Sequence, residues 1–122
     1  MIVPEKIAPK KPKATAKKKA DIEAALPSHV SIFGRKIKVV ITNLKGLHGD
    51  FSIDKNLIRI HQAVPVESAK DTLFHECVHA ALAISGHNEM FSEQQEEALV
   101  RMIEHAFAHI VDVDKLKVDK SS

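Results

Sequence analysis

The sequence predicts an α+β fold, a small antiparallel sheet packed on two main helices. Three observations carry this expectation. The stretch from His29 to Ile60 holds short, β-branched segments with alternating polarity. The stretch from Ser68 to Val111 holds two longer segments with helix start signals. Pro65 stands between the two kinds of text.

The chain has 122 residues, which suits one domain. It has no tryptophan and no tyrosine, so the core is expected to be aliphatic with a few phenylalanines. The single cysteine, Cys77, excludes an intramolecular disulfide framework and a Cys-rich zinc ribbon. No apolar run approaches the roughly 20 residues of a membrane span, and no signal-peptide block opens the chain. The expected location is cytoplasmic. Residues 1–20 carry seven lysines against one glutamate, while the remainder carries 11 basic against 15 acidic residues, so the basic charge belongs to the N-terminal segment.

In order along the chain, residues 1–20 combine lysines with Pro4, Pro9 and Pro12 and are expected to be a disordered tail. A nucleic-acid contact through phosphates, a tether to an acidic partner and a solubilising leader are the readings for it. Asp21–Leu26 suits one or two helical turns, stopped by Pro27. The stretch FGRKIKVVITN alternates Lys36 and Lys38 with Ile37 and Val39 and reads as a strand with one wet face. Gly46, Gly49 and Asp50 mark turns, Phe51–Ile53 is a short strand, and Leu57–Ile60 is another. Ser68 with Asp71 resembles a capping box, predicting a helix over 69–85 closed by Gly86. Ser92 with Gln95 is a second capping box, opening a helix to about Val111. A folded domain over 21–113, which carries the motif and the family resemblance described below, and a charged tail over 114–122 complete the expected organisation.

Chemistry concentrates in TLFHECVHAALAISG, at His75-Glu76-Cys77-Val78-His79. On a helix, His75 and His79 lie one turn apart on one face and can point two nitrogens at one ion. Glu76 is rotated by about 100° at helical pitch, beside the ion. Zinc would lower the pKa of a bound water toward about 7, and Glu76 would take its proton. A third ligand is required. The extended motif HExxHxxGxxH is rejected, because Leu82 and Ser85 occupy its later positions. Glu96 shares the helical face of Leu99, Val100 and Ile103, so it is the expected third ligand; Glu97, on the face of Arg101 and Glu104, comes second and Glu93 third. Cys77 is expected to be a small buried hydrophobe. His61 is a candidate to face the cleft, His87 to cap carbonyls, and His105 and His109 to be solvated or to serve as electrophiles.

With HECVH, the preceding LIRI segment and the following EEALV helix in view, the stretch 33–111 resembles the small zincin metallopeptidases of phages and bacteria, near the ImmA/IrrE-like and SprT-like groups. The resemblance implies zinc-dependent peptide-bond hydrolysis in a bacterial host, with a phage as one source of the gene. It implies His75, His79 and Glu96 as ligands and Glu76 as base. A third glutamate ligand is the gluzincin and ImmA/IrrE pattern, whereas SprT-like proteins usually use histidine. The absence of tyrosine leaves His61, His105, His109, Arg101 or the ion itself to stabilise the oxyanion. The substrate is expected to lie extended along the edge of Leu57–Ile60. The rival expectations are a non-catalytic zinc module docked by its basic tail to nucleic acid or an acidic partner, and a hydrolase of non-peptide amides.

Overall fold

The computed structural model describes residues 10–107, with side chains from residue 17 onward. Its elements are helix α1 (Lys10–Ala25), strands β1 (His29–Ile32), β2 (Arg35–Thr42), β3 (Gly49–Ser52) and β4 (Leu57–His61), helix α2 (Val66–Ser85), a 3-10 turn (His87–Met90) and helix α3 (Glu93–Phe107). The α+β class is as expected. No helix among the described residues is long and apolar enough to cross a membrane.

The sheet is mixed, in the order β1-β2-β4-β3, and this corrects the expected antiparallel arrangement. β1 and β2 form a hairpin in the register His29↔Lys38 to Ile32↔Arg35. Its two-residue turn, Phe33-Gly34, has positive φ at both positions, the primed turn that matches strand twist. β2 and β4 run parallel, Lys38↔Leu57 to Thr42↔His61. β3 pairs antiparallel with β4 on its far side, Gly49↔Ile60 to Ser52↔Leu57. The loop after Thr42 therefore carries the chain past the place that β4 later fills. That loop is anchored where the Leu44 amide donates to His61 Nδ1 at 3.0 Å and the His61 amide donates to the His48 carbonyl at 2.7 Å.

Alternation decides what the sheet buries. Ile37, Val39 and Ile41 of β2 and Ile58 and Ile60 of β4 form one apolar face. Ile22 of α1, Leu26 just after it, and Ala69, Leu73 and Ala80 from α2 join them in one core cluster. Half of the expected disordered tail is thus helical from Lys10, and the core begins at Ile22. The physical reason is docking: Ile22 and Leu26 lie one turn apart and anchor the end of a helix whose lysine-rich part follows on continuously. Residues 1–9, the expected tail over 114–122 and His109 lie outside the described residues.

Helix α2 starts three residues ahead of the expected boundary. Pro65 is its N-cap, the Ser68 hydroxyl makes no cap bond, and the Pro65 carbonyl accepts the Ala69 amide at 2.9 Å. Gly86 closes it in the left-handed region at φ 81°, as expected. Helix α3 opens on the expected reciprocal capping box. The Ser92 amide donates to Gln95 Oε1 at 2.9 Å, and the Gln95 amide donates to Ser92 Oγ at 3.1 Å.

Candidate metal centre and cleft

Helix α2 buries Ala69, Leu73, Glu76 and Ala80, a stripe with four-three-four spacing. The buried charge of the motif is therefore Glu76, 7% exposed, while His75 and His79 flank the stripe and open toward α3. Burial pushes the Glu76 carboxyl above the ordinary range. Charge on His79 and His75 opposes that shift, and Asp50 and Glu97 reinforce it. A carboxyl raised toward neutrality is tuned for exchanging protons.

The two imidazoles meet edge to face, with Nε2 of His75 and Nε2 of His79 3.2 Å apart. Their other nitrogens are taken. His75 Nδ1 donates to Glu104 Oε1, and His79 Nδ1 donates to Glu96 Oε2 at 2.5 Å. With protons committed to Nδ1, neutral rings present bare lone pairs at Nε2. Glu97 Oε1 enters the same space, 2.6 Å from His79 Nε2 and 3.5 Å from His75 Nε2. Three acceptors facing one another require a proton or a cation between them. Burial alone would lower the His79 pKa, but hydrogen bonding to Glu96 and the charges of Glu76 and Glu97 outweigh it and raise it. Burial alone would raise the Glu97 pKa, but both histidines outweigh it and hold it below the usual carboxylate range.

The donor set also fits an ion. Nitrogens held tetrahedrally at about 2.0–2.1 Å from zinc lie roughly 3.3 Å apart, close to the observed 3.2 Å. His75, His79 and Glu97 are the group among the described residues that could hold one. Carboxylates behind both histidines fix tautomer and ring orientation, as outer partners of metal ligands do.

The structure brings His75, Glu76 and His79 together and places Glu97, rather than the expected Glu96, beside the two Nε2 atoms. Glu96 points inward, but to the outer nitrogen of His79; Glu97, 43% exposed, reaches the inner pair. The expectation took the apolar stripe of α3 as the face aimed at the histidines. A cavity lies between the first half of α2 and α3, and the polar face bearing Glu97, Arg101 and Glu104 lines it. Glu104, seven residues after Glu97, was visible only as a member of that polar face. Glu93 is exposed at the start of α3 and makes no contact with the histidines. His61 anchors the loop, His87 bonds Ser85 Oγ at 2.8 Å, and His105 is exposed. Cys77 packs against the core, and burial pushes its thiol up to about 12.

Two cavities of about 630 and 420 Å³ flank the cluster and share Leu47, Gly49, Glu76 and Glu97. Gly49 makes this approach of strand to helix feasible. A Cβ there would lie 2.6 Å from Thr72 Cγ2 and 2.9 Å from the Arg59 carbonyl. Next to it, Asp50 pairs with Arg59 across the β3–β4 ladder, Arg59 Nε donating to Asp50 Oδ1 at 2.9 Å.

Comparison with family models, curated proteins and solved structures finds no match for this chain. Its functional reading rests on the residues and geometry above.

Proposed function

We propose that this chain is a zinc-dependent hydrolase of peptide bonds, an endopeptidase, with His75, His79 and Glu97 as ligands and Glu76 as base. The observation that carries the proposal is the convergence of two Nε2 lone pairs and the Glu97 carboxylate beside a buried glutamate in a cleft. Zinc, when bound, supplies Lewis-acid polarisation and a water acidic enough to ionise near neutral pH. The remaining steps belong to the chain. Glu104 and Glu96 hold the histidines in the ligating tautomer. Glu76 takes a proton on its carboxylate from the attacking water and returns it to the leaving amine.

The sheet order revises the substrate path. β4 is paired on both sides, by β2 and β3, and has no free edge, so Leu57–Ile60 does not receive a peptide. β3 is the edge strand on the side of the cleft, the other edge being β1, and Gly49, Asp50 and Phe51 border the cleft. An extended substrate adds to that edge through main-chain hydrogen bonds. Cavities on both sides of the cluster leave room for chain on both sides of the cut bond, which favours internal cleavage.

Glu76→Gln keeps the size of the side chain and removes its basicity. Zinc-loaded wild type is expected to cut a proteome-derived peptide mixture, read by mass spectrometry, and Glu76→Gln to retain zinc with cleavage reduced at least about 100-fold. Equal cleavage by the variant contradicts the assignment of Glu76.

A further inference from the structure

The larger cavity is bounded by the loop 46–49, the first turns of α2 with Ser68, Asp71 and Thr72, and the polar face of α3 with Arg101 and Glu104. Arg101 lies one turn after Glu97 and three residues before Glu104, so all three share a helix face. Both neighbouring carboxylates are committed elsewhere: Glu97 to the Nε2 pair and Glu104 to His75 Nδ1. Among the described residues no carboxylate lies within 4.0 Å of the Arg101 guanidinium, and none accepts a hydrogen bond from it. The cavity wall therefore carries a fixed positive charge, its donor fork unused among the described residues, beside the candidate ion site.

We infer that Arg101 receives a carboxylate of the bound substrate, in the cavity bounded by Ser68, Asp71 and Thr72. The inference rests on reading His75, His79 and Glu97 as a metal site in a hydrolytic cleft, and it adds a charge preference to that reading. A guanidinium matches a carboxylate through two parallel N–H···O bonds, which gives direction as well as attraction. Of the carboxylates lining this cavity, Glu97 and Glu104 are bonded to histidines and Glu76 is buried. Asp71, exposed on α2, is the remaining competitor for charge, and it stands outside ion-pair distance of Arg101. The carboxylate can come from the substrate's own C-terminus or from an aspartate or glutamate side chain. The chemistry of recognition is the same for both.

The test uses the full chain loaded with cobalt, whose visible absorption reports both the ion and a probe bound to it. The probes are malonyl hydroxamates extended by Gly-Gly-amide, Gly-Gly with a free carboxylate, Gly-Glu-amide or Gly-Lys-amide. At low salt, at least one acidic probe is expected to bind about tenfold tighter than the neutral one, the size of one charge-assisted pair at a half-open site. Which acidic probe wins identifies the source of the carboxylate. Arg101→Met is expected to abolish the advantage while leaving the cobalt spectrum and the affinity of the neutral probe unchanged, and Arg101→Lys to restore part of it. Equal binding of all probes, no binding by any, tightest binding of the lysine probe, or an acidic advantage that survives Arg101→Met would overturn the inference and leave the metal site standing. Failure of the wild type to take up cobalt would overturn the metal reading, and the inference with it.

Discussion

At the residue scale, position is what separates the carboxylates around the histidines. Glu97 faces the Nε2 pair, whereas Glu96 and Glu104 each accept a hydrogen bond from an Nδ1–H. Removing a ligand and removing an outer partner are therefore expected to differ in kind. Glu104→Ala is expected to leave the zinc content at saturation unchanged and to weaken affinity by about 10–100-fold, measured by competition with a chelating dye. Unchanged affinity would show that the Glu104 contact does not orient His75. Cys77 gives a test that involves no metal. Its thiol pKa, pushed up to about 12 by burial, keeps the thiolate scarce in the folded protein. Because the folded pKa lies above the unfolded value, the folded state retains its proton while the unfolded thiol ionises. Stability is then fully present below about pH 8.5 and falls as pH rises from there toward 12. Native protein at pH 8 is expected to resist alkylation by iodoacetamide until denaturant is added; rapid labelling without denaturant would contradict the burial of Cys77.

At the element scale, β3 and α2 form one unit through Gly49. A methyl group at that position meets both the Thr72 side chain and the Arg59 carbonyl, and the backbone contact has no rotamer through which to yield. Gly49→Ala is expected to destabilise by about 1–3 kcal/mol in urea unfolding and to push the edge strand off Glu76. A neutral result would mean that the strand and helix do not approach this closely. Local signals were the legible ones. Gly86, the Ser92–Gln95 box and the four-residue spacing of His75 and His79 are each read within a few residues, and each took its expected form. The hairpin at Phe33-Gly34 was hidden because phenylalanine at φ 51° is a rare turn residue. The Pro65 cap was masked by a more conventional candidate, Ser68.

For the whole molecule, the decisive features are non-local. The parallel pairing of β2 with β4 joins residues about 19 apart, such as Lys38 and Leu57, and nothing in either strand specifies that partner. Which of Glu96 and Glu97 meets the Nε2 pair depends on the orientation of α3, whose one buried residue is Val100 and whose Glu97, Arg101 and Glu104 line the cavity. Sequence faces locate apolar stripes well; they do not say which polar face lines a cavity. The joint presence of an edge strand, a buried glutamate and two oriented histidines comes from folding these elements together.

The most direct test is zinc bound per chain after saturation and removal of excess, by mass spectrometry of the intact native protein and by elemental analysis. It compares the wild type with His79→Ala, Glu97→Ala and Glu96→Ala. One zinc is expected in the wild type and in Glu96→Ala, with none retained by His79→Ala or Glu97→Ala. No zinc in the wild type, or retention by Glu97→Ala with loss from Glu96→Ala, would contradict the site assigned to His75, His79 and Glu97.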